Sequence, residues 1–285
     1  MTNLRRMIAD GPPVSAPLVL NALMARLAER AGFRALYLGG GASGYANVFT
    51  EANLSLTEMC RAGLDIGAAC ALPLILDGAC GWGDPMHLHR TIALAERAGF
   101  QAIEIEDQIL PKRAHHHVGR EHLIPAEAMA AKVREAVAVR RGADFLVIAR
   151  TNAIRTHGLD DALRRAERMA EAGADLLFVL AHRPEELRAV AERFRTPLMY
   201  MTPAGGLAAS GLGLADMDAL GVRLVVDAQT PLLAAHRALR DCYAALAEGK
   251  PDPLVGASVQ AETEALHGSI GLEVLLEVER RTVER

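Results

Sequence analysis

One phrase recurs along this chain and limits what it can fold into. Ala28-Glu-Arg-Ala-Gly-Phe33 stands before Leu36-Tyr-Leu38, Ala95-Glu-Arg-Ala-Gly-Phe100 before Ile103-Glu-Ile105, and Met169-Ala-Glu-Ala-Gly-Ala-Asp175 before Leu176-Leu-Phe-Val179. Each copy reads as a helix ending at a glycine that can take the left-handed cap conformation, followed by a short β-rich run. The repeating unit is therefore a helix that feeds a strand. Strand-like runs fall near 16–20, 35–38, 72–77, 102–107, 145–150, 176–181, 197–202 and 223–228, with helical segments such as 55–69, 86–98, 125–140 and 159–172 between them. Eight strands, apolar almost throughout, predict an α/β fold of the (β/α)8 barrel (TIM barrel) kind, its parallel sheet buried on both faces. An open doubly wound sheet shows the same alternation, so spacing alone leaves that arrangement open.

The 285 residues suit a single barrel domain over 1–285. Beyond the eighth strand, a helical segment near 230–248 and the turn Gly249-Lys-Pro-Asp-Pro253 lead into a tail, 250–285, whose Ile270, Leu272, Val274, Leu275 and Val278 fall at helical spacing. A barrel does not need this C-terminal helical extension. The net charge of -4 supplies no basic field, so no nucleic-acid partner is expected. Neither a signal-like apolar core near the N-terminus nor a run approaching the ~20 apolar residues of a span is present, so no membrane partner is expected. Cys60, Cys70, Cys80 and Cys242 lack C-x-x-C spacing and scaffold density, which together with the rest reads as cytoplasmic.

Chemistry concentrates in Glu104-Ile-Glu-Asp-Gln-Ile-Leu-Pro-Lys-Arg-Ala-His-His-His117, an apolar strand ending in acids, bases and imidazoles. In a parallel barrel the C-terminal strand ends build the site. Glu104 and Glu106, two apart, point to one side of their strand. Three adjacent histidines in a loop rarely face one ion, and no second cluster with ligand spacing accompanies them, so they are not read as a zinc site. Other strand ends add Tyr37-Leu-Gly-Gly-Gly41, whose glycines let backbone N–H groups approach an anion, Leu76-Asp-Gly-Ala-Cys-Gly-Trp-Gly83, and Ile148-Ala-Arg-Thr-Asn-Ala153.

Taken together these segments resemble the isocitrate lyase/phosphoenolpyruvate mutase superfamily, in its methylisocitrate lyase-like or carboxyphosphonoenolpyruvate mutase-like branch, over roughly residues 4–245. The resemblance implies a Mg2+-dependent enzyme, Mn2+ being an alternative ion, acting on a small 2-oxo or 2-hydroxy acid. It also implies that the last barrel helix is exchanged with a neighbouring subunit, giving a homo-oligomer built as a dimer of dimers. Asp77 matches the direct metal ligand and Glu106 a glutamate that reaches the metal through water. Ala79 stands where a second aspartate is usual, Glu51 is the nearest match to an aspartate after the second strand, and Glu104 sits where lyases place histidine. Carboxylate oxygens suit Mg2+, so Glu104 is expected to replace the charge lost at Ala79, leaving Asp77, Glu104 and Glu106 around the ion. The alternative pairs Glu104 with a cation such as Arg150.

By the same resemblance, Lys112 and Arg113 are base and anion clamp in the loop that closes the site, and His116 is a proton donor. Arg150 grips a carboxylate bidentately. Tyr37, Gly39, Gly40, Gly41 and Asn152 line the substrate, with Gly39 standing where a serine is usual. Gln229, at the end of the eighth strand, touches substrate or caps the barrel. Leu180 and the Tyr200-Met-Thr202 strand lack the glutamate and asparagine of many lyases, so the far side of the pocket is expected to be less polar. Ala114 occupies the position of the lyase cysteine. Carbon–carbon lysis through an enolate is the favoured reaction. Phosphonomutase, phosphonopyruvate hydrolase or oxaloacetate decarboxylase chemistry, which does not rely on that cysteine, remains an alternative, as does a carboxylate-binding homologue without turnover.

Overall fold

The computed structural model describes residues 3–284. Eight strands run through the described residues: β1 (Val14–Pro17), β2 (Leu36–Leu38), β3 (Leu74–Asp77), β4 (Ala102–Glu106), β5 (Leu146–Thr151), β6 (Leu176–Val179), β7 (Leu198–Met201) and β8 (Val222–Asp227). Ten helices precede or separate them: α1 (Leu4–Asp10), α2 (Ala22–Arg30), α3 (Gly40–Ala46), α4 (Leu56–Ala69), α5 (Pro85–Arg97), α6 (Ala126–Val139), α7 (Ile154–His157), α8 (Leu159–Glu171), α9 (Pro184–Arg193) and α10 (Leu214–Ala219). After β8 come α11 (Thr230–Ala247), α12 (Val259–Ile270) and α13 (Leu272–Thr282).

Every strand pair is parallel, in the order β1-β8-β7-β6-β5-β4-β3-β2. The ring closes where Leu18 bridges Tyr37, Leu18 N–H donating to Asp227 O at 2.8 Å and Val19 N–H to Tyr37 O at 2.9 Å. That contact settles the choice left open by spacing, because an open sheet keeps its two edge strands apart. The recurring phrase does what its glycines require: Gly32, Gly99 and Gly173 end their helices at φ +92°, +89° and +96°, a region that costs a side-chain-bearing residue free energy.

Strand parity divides the apolar residues into two cores. Leu36, Leu38, Ile103, Ile105, Val147 and Ala149 face the helices. Ala35, Tyr37, Ile75, Ala102, Ile148, Phe178, Met199 and Leu224 fill the barrel, joined by Leu4, Met7 and Ile8 of α1. Since α1 packs with the inward residues at the strand starts, such as Val14 and Ala35, it stoppers the N-terminal mouth. Only the C-terminal mouth is left for chemistry.

The chain divides into two compact units, Met1–Thr230 and Pro231–Arg285. The second begins ahead of residue 250, where the turn-rich sequence marks the start of a tail, because α11 belongs with the helices that follow it. Neither α11 nor α13 buries a residue, and Leu239, Tyr243, Leu246, Leu266, Ile270 and Leu275 are exposed. Among the described residues no helix is long and apolar enough to cross a membrane.

Candidate active site

The inward positions at the ends of β3, β4 and β5 carry charge instead of hydrocarbon. In register, Asp77 lies opposite Glu104 and Glu106 opposite Arg150, so the alternation that buries Ile75, Ala102 and Ile148 lower down brings three carboxylates and a guanidinium together. Arg150 Nη1 donates to Glu104 Oε1 at 2.7 Å, its Nε donates to Asn152 Oδ1 at 2.9 Å and lies 3.4 Å from Glu106 Oε2. Its guanidinium carbon stands 5.0 Å from the centre of the Phe178 ring, within cation–π range. Burial works to lower the Arg150 pKa, yet Glu106 and Glu104 outweigh it and hold the guanidinium above its ordinary range.

Glu104, expected beside the metal, is placed on Arg150. Its second oxygen accepts the Tyr37 hydroxyl at 3.0 Å, so both oxygens are occupied inside the barrel. Burial pushes this carboxyl up to about 7 despite the opposing pull of Arg150. Tyr37 is therefore a support for Glu104, fully buried and pushed further from ionisation by desolvation and the nearby Asp77 charge.

The remaining carboxylates face Lys112. Its ammonium contacts both Glu106 and Glu51, and all three groups are buried. Burial lowers the Lys112 pKa, with Arg150 adding repulsion, and raises that of Glu106. Glu106 is further fixed by Asn152 Nδ2 at 2.7 Å, and Asn152 by Asp107, which accepts its backbone N–H at 3.1 Å and the Thr151 hydroxyl at 2.7 Å. Asp77 accepts the Gly40 N–H at 2.9 Å and the Ala79 N–H at 3.0 Å. A Cβ on Gly40 would sit 3.3 Å from Asp77 Oδ2 and 3.4 Å from Glu51 Oε2, so the glycine triplet works here by letting two carboxylates approach the backbone. The Gly40 amide expected to hold substrate is spent on Asp77.

His116 stands at the edge, Nε2 3.9 Å from Glu51 Oε1 and Nδ1 3.1 Å from Glu121 Oε2, with the Gln108 amide also 2.9 Å from Nδ1. Burial lowers its pKa and Glu121 partly restores it. Two expected residues lie elsewhere. Arg113 is exposed, at the start of the 3-10 turn Ala114–Val118, and makes no ion pair among the described residues. Gln229 is exposed, and its backbone N–H donates to Asp227 Oδ1 at 3.1 Å. Sequence reasoning did not select Glu51, Glu121 or Phe178 as site residues. Glu51 carried a faint signal as the only acid in the loop after β2; the other two carried none.

The donor set suits a hard divalent cation. Glu51, Asp77 and Glu106 bring three buried carboxylates against one lysine, and oxygen donors of this kind take Mg2+. Among the described residues no group of three His, Cys, Asp or Glu side chains is placed to hold a metal ion by itself. That is compatible with Mg2+, which keeps several of its waters.

A family model described as phosphoenolpyruvate phosphomutase matches residues 4–247. The chain belongs to this family. The superfamily resemblance and the barrel read from the sequence are both correct. Among the phosphoenolpyruvate phosphomutase relatives, 2,3-dimethylmalate lyase of Eubacterium barkeri is 31% identical over 279 residues, 97% of this chain and 96% of that one. A phosphoenolpyruvate phosphomutase from Streptomyces platensis subsp. rosaceus superposes with TM-score 0.89 at 27% identity, covering 98% of each chain. A phosphonopyruvate hydrolase solved with oxalate and Mg2+ gives TM-score 0.85 at 28% identity, again covering 98% of each. Enzymes that cleave carbon–carbon and carbon–phosphorus bonds thus share this architecture.

Proposed function

We propose that this protein is a Mg2+-dependent carbon–carbon lyase acting on a small 2-hydroxy or 2-oxo carboxylic acid. The observation that carries the reading is Lys112, a buried lysine wedged between Glu51 and Glu106 beside Arg150. The two carboxylates favour its charge while burial and the neighbouring Arg150 oppose it and lower its pKa, so Lys112 is held at the barrel mouth with a proton it can exchange. Asp77, Glu51 and Glu106 would hold the cation with water completing its shell. When bound, the cation supplies positive charge that favours enolate formation. Arg150 binds the substrate carboxylate with the guanidinium nitrogen left free by Glu104 and Asn152. Lys112 takes the 2-hydroxyl proton, the carbon–carbon bond breaks, and its electron pair passes into the enolate.

His116 delivers the proton that completes the reaction. Its Nδ1 side is held by Glu121, leaving Nε2 toward the site. This gives the chain a donor in place of the missing cysteine at Ala114. The same Ala114 favours a second reading, carbon–phosphorus chemistry or oxaloacetate decarboxylation, since neither depends on a thiol there. The exposed apolar side chains of α11, α12 and α13 support a homo-oligomer, with a dimer of dimers as the assembly expected from the superfamily.

Calorimetric titration of oxalate with and without Mg2+ tests the site. Screening 2-hydroxy acids, oxaloacetate and phosphonopyruvate for release of pyruvate or glyoxylate tests the reaction. Oxalate binding that requires Mg2+, with release from a 2-hydroxy acid, is expected. Binding without turnover of any of them overturns the lyase reading.

A further inference from the structure

The C-terminal mouth of the barrel has two unlike halves. On β3 to β5 the inward positions are Asp77, Glu104, Glu106 and Arg150. Continuing the inward parity of β6 to β8 past Phe178, Met199 and Val226 gives Leu180, Met201 and Ala228, all partly buried and packed on the interior core. Pairing sets their level: Arg150 lies opposite Phe178, Leu177 opposite Leu198, and Met201 opposite Val226. Leu180 N–H also donates to Thr151 O at 3.1 Å, next along from Arg150. Leu180 and Met201 thus stand one inward step above Phe178 and Met199, the layer of Arg150, and Ala228 one step above the Val226 that pairs with Met201, so the three form an apolar wall that rises above that layer. None of their side chains offers a hydrogen-bond donor or acceptor.

Such a wall discriminates by chemistry. A carboxylate pressed against it loses hydration and finds no partner, whereas an alkyl group leaves water at a gain. We propose that the substrate carries a short alkyl substituent at the end away from the carboxylate held by Arg150, and that Leu180, Met201 and Ala228 select it over a second carboxylate. The proposal rests on the lyase reading above and narrows its substrate class to alkyl-bearing 2-hydroxy or 2-oxo acids.

Displacement of oxalate from the Mg2+-loaded protein tests the wall directly, using 2-oxopropanoate, 2-oxobutanoate, 2-oxopentanoate and the dicarboxylate 2-oxopentanedioate. Affinity is expected to rise about fourfold for each methylene that reaches the wall, with the dicarboxylate weaker than 2-oxopentanoate by at least about tenfold. Leu180→Gln, similar in volume, should narrow that ratio, and Met201→Gln provides the same readout if the first variant folds poorly. Equal binding of 2-oxopentanoate and 2-oxopentanedioate, or a ratio unmoved in both variants, overturns the wall while oxalate binding still supports the carboxylate site. Absence of oxalate binding overturns that site and the inference with it.

Discussion

Arg150→Met is the most demanding perturbation of this site. Arg150 is 7% exposed, and Glu104 and Glu106 are 1% exposed. The substitution removes the 2.7 Å ion pair to Glu104 and the 3.4 Å contact to Glu106 while preserving much of the side-chain volume. Glu106 keeps Lys112 and Asn152 as partners, but Glu104 keeps only the Tyr37 hydroxyl. Breaking a buried pair in this way costs about 3–5 kcal/mol. At roughly 2–4 °C per kcal/mol for a chain of this order of size, the melting temperature should fall by roughly 6–20 °C.

Glu104→Gln added to Arg150→Met should recover most of that loss, because the orphaned charge is gone. Oxalate affinity should fall by about 10- to 150-fold in both variants, the worth of a charge-assisted hydrogen bond. Scanning calorimetry of metal-free protein at pH 8, followed by oxalate titration with Mg2+, reads the two effects separately. The melting deficit should shrink by pH 5.5. Burial raises the folded pKa of Glu104 to about 7, above its unfolded value, so the penalty for its charge is absent at low pH and develops as pH rises through that range. A single variant that melts with the wild type, or a double variant that regains oxalate, would refute the assignment of Arg150 as both counter-charge and carboxylate grip.

Three further outcomes follow from the same geometry. The loop after Asp77 holds Ala79, Gly81 and Trp82 at φ +43°, +77° and +54°, and buried Lys132 donates to Cys80 O at 2.7 Å; Lys132→Met should cost about 1–3 kcal/mol and weaken Mn2+ binding followed by electron paramagnetic resonance. A Cβ on Gly44 would lie 2.7 Å from Glu51 N and 2.8 Å from Phe49 O, so Gly44→Ala should displace the 3-10 turn Glu51–Asn53 and lower Mg2+ affinity at least about tenfold by calorimetry. Ile270→Glu with Leu275→Glu, both exposed in this chain, should reduce the mass measured by light scattering while leaving the far-ultraviolet circular dichroism of the barrel intact.

The fold was legible because its signals are local and repeated. A glycine cap followed by a β-rich run recurs often enough to count strands, and β4 advertises its inward face through Glu104 and Glu106. Barrel closure was not legible, since it depends on Leu18 meeting Tyr37, two residues with no pattern of their own. The site divides the same way. Asp77, Glu106, Lys112 and Arg150 sit in recognisable strings, and the structure gathers them. Glu51 and Glu121 arrive from loops whose paths are set by distant packing, and a lone glutamate in a loop sequence has no signature.

Glu104 shows how far a single position can be read. Its parity alone placed it inside the barrel, and either a cation or an arginine could have met it there. What decides between them is the neighbouring strand: Arg150 is inward at the facing end of β5, and Tyr37 reaches across from β2 to the second oxygen. A carboxylate so engaged orients the guanidinium, and the further buried carboxylate facing Lys112 beside Glu106 comes from Glu51, in the loop after β2. The departures at 79 and 104 thus have separate consequences: Ala79 contributes only its backbone N–H, to Asp77, while Glu104 fixes Arg150.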